Sequence, residues 1–393
     1  MRIQLSDHFT YKRLLQFVLS PILMMIFTSL YGIVDGFFVS NYVGKIPFAA
    51  VNLVMPVCMA LGTLGTMIGT GGSAIVSHVL GEGKREKANS YFSMLVVFAV
   101  ILSLFLSIIG FVFARPIASA LGAEGEMLEN CVTYSRILYI ALTPFVLQFI
   151  FQSFFVTAEK PSLSLIISVV SGIVNMLLDY LFIAVFDWKI AGAAIATGIG
   201  QIAGGIIPLI YFAKKNDSLL QFTKPKFEGK ILLRALTNGS SEMITNLSTS
   251  LVNILYNFQL MKIAGENGVA AYGIIMYVNF IFMAVFFGYS IGSAPVIGYH
   301  YGAGNHKELK NLFRKSIFLM TSTGLILTVL AEILTVPLVK IFANYDADLF
   351  SMTCQGFRLY SIAFVVMGVN VWGSAFFTAL GNGGVSALIS FLR

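Results

Sequence analysis

Charge is what this chain has least of. Only 11% of its 393 residues are Asp, Glu, Lys or Arg, against 57% hydrophobic residues and a mean hydropathy of +0.85. A soluble domain carries about 25% charged residues, so a water-solvated globule is excluded and lipid must solvate much of the surface. The alternating segments of about ten residues that mark a membrane β-barrel are missing too; the apolar runs are long and unbroken, so the spans are helices. Cysteine is scarce: Cys58, Cys131 and Cys354 have neither metal-ligand spacing nor an even count, which leaves no disulfide framework and no zinc site. Histidine is scarce as well, and His78 and His300 stand at span ends without a metal motif, so a membrane-embedded metalloenzyme has no basis. The turns Gly81-Glu82-Gly83 and Gly302-Ala303-Gly304 lack the strand before and the Lys-Ser/Thr after that a nucleotide loop requires; they read as helix ends, and no ATP site is visible. The net charge of +7 is spread over short loops beside spans and does not form a nucleic-acid face. The first apolar stretch is longer than a signal-peptide core and lacks a small-residue cleavage site, so an uncleaved anchor is expected.

What the chain does have is a repeat. At an offset of 221 residues, without a gap, Thr28-Ser29-Leu30 returns as Thr249-Ser250-Leu251, Gly81 and Gly83 as Gly302 and Gly304, Pro116 as Pro337, and Phe155, Thr157 and Ala158 as Phe376, Thr378 and Ala379. Matches in loops as well as in apolar runs point to an internal duplication. Ten spans are predicted, at 14–40, 47–80, 90–114, 134–157, 162–186, 190–213, 231–262, 268–301, 312–335 and 356–381. The fold class expected is all-α integral membrane, with two pseudo-symmetric six-helix lobes. Six spans per copy put the second copy in the orientation of the first, a parallel repeat about the membrane normal. The expected organisation is a first lobe at 1–213, a basic polar linker at 214–230 and a second lobe at 231–393. Residue 393 corresponds to residue 172 of the first copy, so the second lobe is truncated within its fifth span, where a complete two-lobe chain would have twelve. Most cations lie in segments on the side of the N-terminus. Only Lys45, Arg115, Arg136, Lys189, Lys262, Lys340 and Arg358 fall on the other side, a bias that predicts a cytoplasmic N-terminus in a cytoplasmic membrane.

Acids within spans are costly and mark function by default. Asp35 in span one and Asp179 in span five both lie roughly 10 Å below the outer surface, counted at about 1.5 Å per residue. Thr197 of span six comes to the same depth, and Asn175 precedes Asp179 by four residues, which puts both on one helix face. Two carboxylates, an amide and a hydroxyl at one level compose a proton or sodium site. Two nearby carboxylates cannot both be charged cheaply, and their oxygens suit a hard cation. The alternative is that each acid only ties its helix to a neighbour. Glu242 of span seven falls near mid-membrane, with Asn370 of span ten at a similar level. It would attract a cationic substrate or a second cation, or else hold a packed partner. Glu332 is close enough to its span end to reach water. The acids do not follow the repeat: the counterpart of Asp35 is Tyr256, and that of Glu242 is Pro21.

With Gly81-Glu82-Gly83-Lys84, Asp35 and Asn175-x-x-x-Asp179 set on duplicated six-helix lobes, the chain resembles the multidrug and toxic-compound extrusion family of antiporters, nearest its MepA-like subgroup. The resemblance implies proton or sodium coupling at Asp35 and Asp179 with Thr197. It adds a span-four tyrosine and amide, for which Tyr134 and Gln152 are the nearest matches, glutamine standing where asparagine is expected. It assigns Glu242 to cation or drug. Asn370 stands where one branch of the family carries an aspartate. The implied activity is export of cationic or amphipathic drugs by alternating access, coupled to H⁺ or Na⁺, with no catalysis, no other cofactor, no metal and no nucleic acid. The implied partners are small molecules and the bilayer, and a monomer is expected. The alternative, a lipid-linked oligosaccharide flippase of the same superfamily, would want deep basic residues for its pyrophosphate, and the spans hold almost none.

Overall fold

The computed structural model describes residues 3–343 and 346–392, apart from the side chains of residues 33, 37, 40, 41, 45, 247 and 266, so that Lys45 of the charge count lies outside the described side chains. Among the described residues there are helices and no strands. In chain order they are α1 (Tyr11–Phe38), α2 (Lys45–Gly81), α3 (Arg85–Ala120), α4 (Gly125–Ile140), α5 (Leu142–Thr157), α6 (Pro161–Asp179), α7 (Lys189–Ala213), α8 (Gly229–Gly302), α9 (His306–Ala343), α10 (Ala347–Ser361), α11 (Phe364–Ala379) and α12 (Gly383–Phe391). Helices are the only answer lipid allows such apolar runs, because every backbone group must be satisfied inside the segment. Among the described residues seven are long and apolar enough to cross a membrane, and nine if α4–α5 and α10–α11 each count as one bent span. The expected span at 231–262 is the first arm of α8, which continues through Gly265, the one residue of non-helical φ/ψ (φ 62°) in that helix. Helix-end glycines in the left-handed region close α2 and α8. Gly83 has φ 78° and Gly304 has φ 66°, and backbone bonds run back from Lys84 N to Val79 O and from Asn305 N to His300 O, the Schellman pattern of a helix end.

Two spans expected as single helices are bent instead: α4–α5 turns by 55° and α10–α11 by 51°. Pro144, in the first turn of α5, explains the first bend, since it lacks the N–H that would continue the ladder. The second has no proline. Both meet a hydroxyl from the neighbouring helix: Ser107 of α3 donates to Tyr139 O, and Thr328 of α9, its counterpart in the repeat, shares its proton between Gly324 O of its own helix at 2.9 Å and Ser361 O at 3.0 Å. Hydroxyls re-satisfying freed carbonyls are how broken helices persist in lipid. Thr328→Val keeps the shape and removes the donor. It should lower stability by about 1 kcal/mol, seen as a lower Tm in detergent; an unchanged Tm would mean the bend does not depend on this bond.

The repeat is visible as an axis. Equivalent residues of α2 and the second arm of α8 meet each other where they cross. A Cβ on Gly81 would lie 2.0 Å from Tyr299 O, and one on Gly302 2.0 Å from His78 O. A Cβ on Gly298 would fall 2.2 Å from Ser77 Oγ, its own counterpart. Further in, a Cβ on Gly71 would lie 2.1 Å from Ala235 O, and Gly292, the counterpart of Gly71, packs on Val18, the counterpart of Gly239. The lobes therefore touch backbone to backbone at the end where α1 begins, called the base here. Both copies also bury a pair of serines four residues apart after the next turn: Ser164 and Ser168 in α6, Ser386 and Ser390 in α12.

The base is also where the lobes exchange elements. Leu14, Phe17 and Val18 of α1 belong to the second-lobe core with Phe286, Tyr289 and Trp372. Leu232 and Ala235 of α8 belong to the first-lobe core with Phe92 and Phe154. Ahead of α1, Leu5 N donates to Glu159 Oε1 at 2.7 Å and Phe9 N to Glu308 Oε1 at 2.9 Å. Glu159 sits in the α5–α6 turn and Glu308 opens α9, so the first residues strap one copy to the other. Neither acid was singled out from sequence.

Candidate functional site

Four helices of the first lobe build one polar cluster. Asp35 lies near the end of α1, just before a π-helical turn at Val39–Val43; Asp179 ends α6, just before a second at Tyr180–Val185. Such π turns recur at functional sites. Thr197 comes from α7 and Tyr134 from α4. The polar side chains around Asp35 are Asp179, Asn175 and Thr197, and Thr197 Oγ1 reaches Asp35 Oδ1 at 3.5 Å, the outer limit of a hydrogen bond. Tyr134 stands beside Thr197 and faces both carboxylates. Asp179 and Tyr134 are wholly buried, and Asn175 nearly so.

The cluster has too few donors. Both oxygens of Asp179, both amide atoms of Asn175 and the phenol of Tyr134 are buried with no protein hydrogen-bond partner. Leaving a buried polar atom unsatisfied costs about 1–3 kcal/mol. Of these five atoms the four oxygens could take a proton, a small cation or water, and the Asn175 amide nitrogen could donate to a water or a carboxylate. Sequence reading of depth and helix face brought Asp35, Asn175, Asp179 and Thr197 together, and family resemblance added Tyr134; the structure collects all five. It also adds Tyr31, one helical turn before Asp35 and within its electrostatic reach, which the i, i+4 spacing contained.

Gln152 is elsewhere. It lies on α5 in the wall of a second feature, an open cavity of about 200 Å³ between the lobes. Its walls come from both copies: Met25, Thr66, Thr70, Phe149 and Gln152 on one side, and Asn246, Phe287, Ser290, Val371 and Thr378 on the other. Glu242, on the first arm of α8, is the one charged residue among the described lining residues. Asn370, expected at the level of Glu242, does not line the cavity; its neighbour Val371 does. The hydroxyls of Thr66, Thr70 and Thr378 were not singled out, because a threonine within an apolar span carries no sequence signal of which way it faces. Among the described residues no cluster of His, Cys, Asp and Glu is arranged to hold a metal ion.

Known proteins share this architecture. A solved structure described as MATE in complex with MaL6 superimposes with a TM-score of 0.93 at 21% identity, over 98% of this chain and 87% of that one. An outward-facing multidrug resistance MATE family transporter of the MOP superfamily gives 0.92, also at 21% identity, over 98% and 86%. Among curated relatives, the multidrug export protein MepA of Staphylococcus saprophyticus subsp. saprophyticus is 23% identical over 388 residues, 98% of this chain and 84% of the relative. MepA of Staphylococcus aureus strain MSSA476 is 24% identical over 389 residues, with the same coverage. The MatE family profile matches residues 21–181 and again 242–393, once on each copy of the repeat and across the cavity wall and all of the acidic cluster but Thr197. The chain belongs to the MatE family.

Proposed function

We propose that the chain exports cationic and amphipathic small molecules across the cytoplasmic membrane, in exchange for H⁺ or Na⁺, by alternating access of the cavity between its lobes. One observation carries the reading: two separate polar sites in one apolar bundle. The donor-poor cluster of Asp35, Asn175, Asp179, Thr197 and Tyr134 suits a coupling ion. The cavity, with apolar and hydroxyl walls and the single carboxylate Glu242, suits an organic cation. A coupling ion drives export only by its difference in affinity between the two facing states. The cation bias of the segments on the N-terminal side supports a cytoplasmic base, and the names of the curated relatives support drug efflux. A monomer is the simplest assembly, since both lobes are in one chain. An anionic lipid-linked substrate is disfavoured, because no Lys or Arg lies among the described cavity residues.

The test is efflux of ethidium from proteoliposomes under an imposed H⁺ or Na⁺ gradient. Each charge moved across 100 mV contributes about 2.3 kcal/mol, so one of the two gradients should speed efflux at least about tenfold, and the matching ionophore should remove the gain. Efflux indifferent to both gradients would end the antiport reading.

A further inference from the structure

The buried face of α6 is polar along its whole length. Its buried residues are Ser164, Ser168, Ser171, Gly172, Asn175 and Asp179, all small or polar in a helix otherwise made mostly of Leu, Ile and Val. Spacings of three and four residues keep them on one side. Its middle packs closely on α7 at a glycine: Ser171 Oγ donates to Gly200 O at 2.6 Å, and a Cβ on Gly200 would come 3.0 Å from Asn175 Cβ. Two observations beyond the stripe point to a ligand in it. Asn175 is 4% exposed, yet both of its amide atoms lack a protein partner. At the other end, Ser164, Ser168, Gln148 and Gln152 line one part of a small void whose remaining wall is largely apolar, Phe151 and Phe155 included, with room for about one water molecule. Gln152 also walls the central cavity. The seam thus runs from Asp179 past Asn175, Ser171 and Ser168 to Gln152. From Asp179 to Ser168 it covers roughly 17 Å at about 1.5 Å per residue.

We infer that this seam between α5, α6 and α7 is a proton path, carried by water, between the Asp35–Asp179 cluster and the central cavity. The inference rests on the coupling role proposed above and narrows it: a void fitting about one water passes a proton but not a hydrated sodium ion. A proton leaving a carboxyl of the cluster is taken up by a seam water, which releases one of its own protons to the next acceptor. Asn175 and the serines orient the waters by hydrogen bonds and bind no net proton, so one proton enters and one leaves with no co-reactant. Gln152, set apart from the acidic cluster, stands where this path meets the drug cavity.

The experiment uses the full chain in proteoliposomes holding a pH-sensitive dye, with ethidium as substrate. Ser168→Val and Ser168→Thr have the same bulk and differ in the hydroxyl. Ser168→Val should slow the initial ethidium-driven proton flux about tenfold, Ser168→Thr should stay within about twofold of wild type, and ethidium binding at equilibrium should be unchanged in both. Gly204→Ala, which forces the Gln148 side chain into the void (a Cβ there would lie 2.6 Å from Gln148 Cδ), should slow flux in the same way and covers the case in which Ser168→Val fails to fold. Wild-type flux in Ser168→Val, or in Gly204→Ala should Ser168→Val not fold, with flux lost in Asp35→Asn, overturns the path and leaves the coupling site standing. Equal losses in Ser168→Val and Ser168→Thr overturn it too, since bulk would then be the cause. Wild-type flux in Asp35→Asn as well removes the coupling reading and the path with it.

Discussion

Gly239→Val should hold the base of the protein open and reduce ethidium efflux at least about tenfold. A Cβ at this position would sit 1.9 Å from Met67 O and 2.8 Å from the carbonyl carbon. The atoms in the way are backbone of α2, so no side chain can turn aside. Overpacking of this kind costs about 1–3 kcal/mol, and here the strain can be relieved without unfolding, because the obstructed contact lies between lobes. A bias of 3 kcal/mol is about 150-fold in population, enough to trap the chain if it cycles by the proposed alternating access. The trap is measurable. Ser77 is fully buried where α2 crosses α8, so the Ser77→Cys variant should react with a membrane-impermeant maleimide at least about tenfold faster when Gly239→Val is added. Gly32→Ala is the control, since nothing lies within 4 Å of a Cβ there, and should change neither reactivity nor efflux. Normal efflux in Gly239→Val would mean that the close crossing plays no part in the cycle.

That crossing shows what sequence carries and what it does not. Part of the repeat was legible because glycine recurs at the crossing, Gly81 with Gly302 and Gly71 with Gly292, although Gly239 has Val18 as its counterpart. The acidic cluster was legible because residue count fixes depth and i, i+4 spacing fixes face, which was enough for Asp35, Asn175, Asp179 and Thr197. Gln152 shows the limit. It was assigned to the cluster by family position alone, and its helix points it into the cavity wall instead. The bends went unseen for a different reason. Pro144 is a local signal, but the second bend has none, and the bond that meets it comes from Thr328, 33 residues away in sequence. The exchange of α1 and α8 at the base was hidden too, because Leu14 and Ala235 look like ordinary core residues and nothing local says whose core they join.

Asp179→Leu should abolish efflux and raise stability at once. A carboxylate that only tied α6 to its neighbours would be an acceptor of hydrogen bonds, and its removal would weaken the lobe. Asp179 is fully buried, and neither oxygen has a protein donor; its close polar neighbour is another carboxylate, Asp35. Replacing a buried group of this kind by an apolar side chain of the same branching is often stabilising, by about 1–4 kcal/mol where ion pairs have been replaced. The same change takes away half of the acidic pair, which under the proposed coupling role deprives the ion of a ligand. Ethidium efflux should then fall to the level of empty vesicles, while equilibrium binding of the dye in the cavity near Glu242 persists. Asp35→Asn should likewise lose efflux, with a smaller gain in Tm, because Asp35 has Thr197 as a donor. Efflux and Tm are therefore expected to move in opposite directions. A lower Tm with efflux retained in Asp179→Leu would show that the acid is a structural tie, and the coupling ion would have to be sought at another site.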